Sequence, residues 1–276
     1  MISVLILTIN EQHDLPGALA TVAGLAGSQP DDIHVLDSNS TDRTVAIAEA
    51  AGAHVVRRAF DTYAGQRNFG FTLPFKYPWV FILDADERVT PSLAAELRRV
   101  VTAGIPQQVA GFRVRRRDFL FDTWLKRTQL SPLYLRLVRP ERSRYARSVN
   151  EVPEVDGTVL DLAEPLDHYP FSKGIAYWVA RHNRYSTLEA QIVYDRAGLS
   201  KPSLKTALFD PDFHTRREHQ KAFYYRMPGR PLIKWLYLIV LRRGFLDGAA
   251  GITYATLASF YEYLIVLKTK ELRLKK

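Results

Sequence analysis

The chain has 276 residues, 47% of them hydrophobic and 12% aromatic, which allows a sizeable core and sets aside the intrinsically disordered classes. Its formal net charge of +9 points to a polyanionic partner: nucleic acid, an anionic membrane surface or a phosphorylated substrate. Cysteine is absent, which excludes disulfides, thiolate catalysis and cysteine-ligated zinc and agrees with a reducing compartment.

The N-terminal MISVLILTIN has no basic leading segment and no small-residue cleavage site, so it reads as a first strand rather than a signal peptide. Residues 3–9 form a continuous apolar run, as expected of a strand buried on both faces, and end in the polar cluster Thr8, Asn10, Glu11. Asp14 is placed as the N-cap of a helix carrying Leu15, Leu19, Val22 and Leu25 at helical spacing. Residues 27–31 read as a turn and 33–36 as a second strand, followed by the polar run D-S-N-S-T-D beginning at Asp37. Ser40 or Thr41 is positioned to cap a helix that runs to Ala51 and stops at Gly52, and residues 54–57 form a third strand. This β-α-β-α-β order implies a parallel sheet.

The most informative stretch is WVFILDADER, residues 79–88. A short aromatic and β-branched run stops abruptly at Asp84, Ala85, Asp86 and Glu87, so the acids emerge at a strand's carboxyl end, where open α/β sheets bind ligands. Residues two apart on extended chain point the same way, so Asp84 and Asp86 share a target, and two carboxylates facing one target repel unless a cation lies between them. Hard oxygen donors select Mg2+ or Mn2+ holding phosphate oxygens. The plainer alternative is a solvated acidic turn before the helix that Thr90 caps, Pro91 opens and Gly104 ends. Polar clusters after three strands of one parallel sheet fall on one edge, which weighs more than any single cluster. No G-x-G-x-x-G or G-x-x-x-x-G-K-[ST] is present, which leaves a nucleotide site built from side chains and a metal.

Four segments together, V-L-I-L-T-I-N-E from Val4, V-L-D-S-N-S-T-D from Val35, Q-R-N-F-G from Gln66 and F-I-L-D-A-D-E from Phe81, resemble in order and spacing the motifs of family 2 glycosyltransferases. The branch that the chain resembles acts on bacterial lipopolysaccharide core or related lipid-linked glycans. The resemblance implies a GT-A fold, an α/β architecture with a mainly parallel central sheet flanked by helices, and an inverting, metal-dependent transfer from a nucleotide-sugar. It places Thr8, Asn10, Glu11, Asp37, Arg67, Asn68, Asp84 and Ala85 around the nucleotide-sugar, and Asp86 with Asp84 on the metal, Asp86 as the more direct ligand. Asp37 is suited to accept a uracil N–H. Two departures stand out: Ser38 occupies a place where the family often has a second acid, and Asn150 precedes Glu151, the acid that inherits the role of catalytic base. Glu154 and Asp156 are the fallback bases, and loop anchoring is the alternative role for Asn68.

In the following half, residues 111–117 and 133–138 read as strands, the second carrying Arg136, and eleven basic residues between Arg113 and Arg147 face few acids in sequence. Arginine in such excess favours phosphate recognition, and Arg136 and His168 are candidates for acceptor or phosphate contact. Residues 158–162 form a further strand, and Ser172 is placed to cap a long helix to about Asp195, whose H-N-R-Y-S segment resembles the same branch.

From Arg226 the composition shifts. The segments at 232–241 and 244–267 are apolar and aromatic, flanked by basic residues and interrupted by Asp247 and Glu262. Such segments suit helices lying in a membrane interface; core helices and a transmembrane hairpin are the alternatives. The sequence therefore divides into a catalytic domain at 1–205 (a nucleotide-sugar half at 1–105 and an acceptor half at 106–205) and a membrane-associating helical region at 206–276. The expected activity is glycosyl transfer, most simply from a UDP-sugar, to a lipid-linked or lipopolysaccharide-core acceptor. The expected location is the inner face of the cell membrane, peripheral and cytoplasmic. Its rivals are a non-catalytic scaffold of a membrane complex and a basic nucleic-acid-binding protein.

Overall fold

The structure is a computed structural model that describes residues 1–23, 25, 32–129, 131–146, 152–196, 203–210 and 213–275. The chain divides into two compact units: Met1–Phe119 with Ser131–Ser172, and Leu120–Leu130 with Lys173–Lys276. The helix that the sequence reading groups with the acceptor half thus lies in the second unit.

The elements run β1 (Ser3–Thr8), α1 (Leu15–Val22), β2 (Ile33–Asp37), α2 (Thr44–Ala50), β3 (His54–Arg57), α3 (Tyr63–Gly70), β4 (Val80–Asp84), β5 (Glu87–Val89), α4 (Pro91–Thr102) and β6 (Val109–Leu120). They continue with β7 (Thr123–Trp124), β8 (Leu133–Val138), β9 (Ser143–Ala146), β10 (Val152–Val155), β11 (Thr158–Asp161) and β12 (Leu166–His168). The main sheet follows the order β3-β2-β1-β4-β8-β6-β12-β5, with β11 also beside β6, while β9 and β10 form a separate hairpin. Strands β1 to β4 pair in parallel, and the direction reverses at β8.

Side chains alternate across β1 and β4, so successive residues feed two different cores. Val4, Ile6, Phe81 and Leu83 pack with Leu15 and Leu19 of α1 and Leu93 and Leu97 of α4. Leu5, Ile82 and Val80 pack on the opposite face with Ala64 of α3 and Tyr145 of β9. Burial on both faces is why these strands read as unbroken apolar runs. Register then sets the edge: Thr8 lies opposite Asp37, and Leu7 opposite Asp84.

Local signals hold where one short contact decides them. Thr90 caps α4 through the Leu93 amide at 3.1 Å, and Gly104 follows with φ +84°, a left-handed conformation favouring glycine. They fail where a distant partner competes. Asp14 does not cap α1; its carboxylate accepts from the Ser172 hydroxyl at 2.7 Å and faces Arg88 at 3.6 Å. The Ser172 hydroxyl, placed by the sequence as a helix cap, donates to Asp14. Ser40 turns back to Asp37, and Asp42 accepts from the Thr44 amide at the start of α2. Strand β6 is longer than its alternating core because β8 pairs with its first half and β12 with residues 116–118.

The second unit is helical: α5 (Gly174–Arg196), α6 (Leu204–Phe209), α7 (Phe213–Tyr224), α8 (Arg230–Leu236) and α9 (Gly248–Leu274), with a π-helical segment Tyr237–Leu241 and a tight turn Gly244–Asp247 before α9. The H-N-R-Y-S segment finds a structural role here. His182 stacks on Trp178 at 3.6 Å, and Lys268 of α9 donates to the Asn183 carbonyl, the Asn183 side chain, Ser186 and Thr187 at 2.6–2.8 Å. Buried Arg230 of α8 faces buried Glu262 of α9 at 3.3 Å, so the acid that interrupts the apolar tail is paired within the unit. The segment Gly244–Leu274 is long and apolar enough to cross a membrane, by length and composition.

Candidate active site

Two clusters assemble at the carboxyl edge of the parallel strands. In the first, fully buried Asp37 accepts from the Thr8 hydroxyl at 2.9 Å, the Ser40 hydroxyl at 2.5 Å and the Ser40 amide at 2.8 Å. Asn10 takes a left-handed conformation (φ 53°), donates its amide to Ser40 and accepts from the Thr41 amide. The Glu11 amide donates to Thr44 at 2.7 Å. The loops after β1 and β2 are thus laced together, bringing Thr8, Asn10, Glu11 and Asp37 into one group. One carboxylate oxygen of Asp37 holds a single bond here, which leaves acceptor capacity for a further N–H.

The second cluster is ionic. Asp84 faces Arg136 at 2.8 Å and Arg67 at 3.3 Å. Arg136, 3% exposed, also bonds Glu87, and the Asp84 amide donates to Glu87 at 3.0 Å. Arg116 stands 3.5 Å from Glu87 and 3.4 Å from Asp118, with its guanidinium over the Tyr134 ring. His168 joins two acids, with Nδ1 2.5 Å from Asp118 and Nε2 3.3 Å from Asp86. Asp84 and Asp86 therefore do not point at one empty target: Asp84 turns toward arginines and Asp86 toward a histidine. Glu87, expected as an emergent acid, is fully buried in β5 and braces Arg136 instead.

Exposure separates the acids by task. The side chains of Asp84 and Asp86 are 29% and 24% exposed, whereas those of Glu87 and Asp118 are completely enclosed. Only the first two can meet a ligand without rearrangement. Burial would raise the pKa of Asp84, but the charges of Arg136 and Arg67 outweigh it and hold this carboxyl well below the usual range. Burial likewise opposes ionisation of Asp86, and His168 reverses it. For His168, burial lowers the pKa, but the Asp86 charge and the hydrogen bonds to Asp118 and Asp86 lift it to about 9. At neutral pH the imidazole is therefore protonated between two carboxylates.

Among the described residues, no group of three or more His, Asp or Glu side chains is placed to hold a metal ion. Mg2+ and Mn2+ keep several waters and take one or two protein ligands plus phosphate oxygens. Asp86 and, once its Nε2 proton is displaced, His168 could supply such a partial set, and the carboxylate–histidine arrangement with Asp118 is how ligating imidazoles are oriented. Asp84, its charge taken up by two arginines, is the weaker donor.

The Asn68 side chain exchanges hydrogen bonds with the main chain of Tyr145, accepting at 2.7 Å and donating at 2.9 Å, and so ties α3 to β9. Ala85 is buried in the turn between Asp84 and Asp86. Glu151, with Asn150, lies outside the described residues. The arginine-rich stretch is not an open basic strip: Arg113 pairs with Asp161, Arg117 with Asp167 and Arg144 with Glu154, acids that sequence distance hid. Asp118 is the residue that motif reading missed; its only sequence signal is a lone acid at the end of an arginine-rich strand.

A mainly parallel sheet flanked by helices, with acids gathered at the carboxyl ends of its parallel strands, is the architecture of a GT-A glycosyltransferase. Residues 3–155 match glycosyl transferase family 2, and the chain belongs to that family. It is 27% identical over 273 residues to the lipopolysaccharide core biosynthesis glycosyltransferase LpsC of Rhizobium meliloti (strain 1021), covering 95% of this chain and 92% of that protein. A glycosyltransferase of Rickettsia bellii (strain RML369-C) is 25% identical over 293 residues, covering 99% of this chain and 87% of its own. Among solved structures, glucosyl-3-phosphoglycerate synthase from Mycobacterium tuberculosis, in complex with Mn2+, UDP and glucosyl-3-phosphoglycerate, aligns over 42% of this chain and 44% of that chain. Its TM-score is 0.36 and its identity 22%.

Proposed function

We propose that this glycosyltransferase moves a sugar, with inversion, from a UDP-sugar to a lipopolysaccharide-core or lipid-linked acceptor at the inner face of the cytoplasmic membrane. The observation that carries the reading is the facing pair Asp86 and His168 beside an Asp84 already neutralised by Arg67 and Arg136. Asp86 and His168 would hold a divalent cation together with the donor's diphosphate, and the cation would supply charge stabilisation to the departing group. Thr8, Asn10, Glu11 and Asp37 would bind uracil and ribose. Arg67, Arg116 and Arg136 set positive charge beside the surrounding carboxylates, so a diphosphate does not meet bare negative charge.

In the transfer, an acceptor hydroxyl oxygen bonds the anomeric carbon, the bond from that carbon to the diphosphate breaks, and the hydroxyl proton passes to Glu151. Full-length similarity to LpsC supports the class of acceptor. The apolar helical tail supports the membrane location. The test is calorimetric binding of a panel of nucleotide sugars with Mn2+ and then with chelator, followed by transfer to truncated lipopolysaccharide. Cation-dependent binding of one UDP-sugar, abolished in Asp86→Ala, is expected. Binding of that sugar with equal affinity in chelator would overturn the cation assignment, and transfer only to water-soluble acceptors would overturn the acceptor class.

A further inference from the structure

In the second unit, the tip at residues 121–124 and the turn before α9 enclose a groove of about 860 Å³ lined by Phe121, Trp124, Lys126, Arg127 and Leu246. The groove is held in shape by Asp247, whose carboxylate accepts from the amides of Arg127 and Thr128 and from the Thr128 hydroxyl at 2.8–2.9 Å. Arg242 donates to the Arg127 carbonyl at 3.1 Å and braces the other side. Phe121, Leu246 and neighbouring Phe245 are each more than half exposed, and Lys126 lies over the Trp124 ring. Lys126 and Arg127 line the groove and Arg242 bonds Arg127, with Asp122 the exposed acid of the tip.

We infer that this groove anchors an anionic phospholipid of a bilayer. The headgroup phosphate would sit against Lys126 and Arg127, and Phe121, Trp124, Phe245 and Leu246 would enter the headgroup–acyl boundary. The charge complements a phosphate. The apolar side chains stand out from the surface, where a phosphate alone or a flat acidic peptide would leave them wet, whereas a bilayer interface takes aromatics at headgroup level and basic residues on lipid phosphates. The inference rests on the membrane location proposed above and names the surface that achieves it.

The test uses the full chain with vesicles of phosphatidylcholine, alone or mixed with phosphatidylglycerol, and with brominated lipid as a tryptophan quencher. Trp79 and Trp178 are buried, so quenching reports Trp124 or Trp235. Binding is expected to need phosphatidylglycerol and to weaken about five-fold in Lys126→Ala, the effect of one basic residue at an anionic surface. Quenching is expected to vanish in Trp124→Phe and persist in Trp235→Phe. Phe245→Asn, at an exposed side chain, is the second probe and is expected to lower binding with UDP affinity intact. Anionic-vesicle binding that survives all these changes, or quenching that follows Trp235, overturns the groove alone. Absence of binding to either vesicle overturns the membrane location with it, while UDP binding reports the donor reading separately.

Discussion

The Nδ1 of His168 lies 2.5 Å from a carboxylate oxygen of Asp118, fifty residues earlier in the chain, and its Nε2 faces Asp86 at 3.3 Å. Sheet register makes this possible, since β12 sets His168 between Glu87 of β5 and Asp118 of β6. Asp118 then fixes which imidazole nitrogen is offered toward Asp86. Asp118→Asn is expected to weaken Mn2+ binding in the presence of UDP by about 10–100-fold, the usual cost of losing an orienting carboxylate. Unchanged Mn2+ affinity by calorimetry would show that Asp118 does not position the ring.

The pKa of His168, raised from 6.5 to about 9, ties stability to pH. A folded-state value above the unfolded one means that the charged imidazole stabilises the fold fully below pH 6.5 and that this contribution is lost as pH rises through 9. In chelator, the melting temperature of the wild type is expected to fall across that window relative to His168→Asn. Parallel profiles for the two proteins would contradict the assignment. Cation binding near neutral pH should also release about one proton, seen by calorimetry in buffers of different ionisation enthalpy.

Removing Arg136 takes the nearest cation from two acids at once. Arg136→Met leaves buried Glu87 with only the more distant Arg116 and the Asp84 amide, and is expected to cost about 1–3 kcal/mol in urea unfolding. The double variant with Glu87→Gln should recover part of that loss, because the buried charge is gone. A single variant as stable as the wild type would mean that solvent already reaches the pair.

Asn68 offers a clean distinction between a ligand contact and an anchor. Asn68→Ala removes both hydrogen bonds to Tyr145 and is expected to cost about 1–3 kcal/mol of stability. UDP affinity should change far less. A large loss of UDP affinity with the melting temperature preserved would assign Asn68 to the nucleotide instead.

Gly251 sits where α9 passes the tight turn before it, and an added Cβ would strike the Gly244 carbonyl oxygen, a backbone atom that cannot swing aside. Gly251→Ala is expected to destabilise the chain by about 1–3 kcal/mol. No change in unfolding midpoint would show that the turn is looser than this packing implies.

Much of the donor half was legible in sequence for a physical reason. Parallel strands buried on both faces must be continuous apolar runs, so β1, β2 and β4 declared themselves, and the polar residues ending them had to share one edge. Thr90 and Pro91 were legible because a cap acts over three residues. The short strands β5 and β12 were not legible: three residues carry no periodicity, and pairing alone makes them strands.

The sequence by itself determined the family, the parallel strands and the acids at their ends, because burial and local hydrogen bonding write patterns a few residues long. Only the tertiary structure decided what those acids meet. Asp84 finds Arg136 across 52 positions, Asp118 finds His168 across 50, and Asp14 finds Ser172 across 158. Charge pairing depends on distance in space, and once a carboxylate is enclosed it binds whichever donor the sheet register delivers.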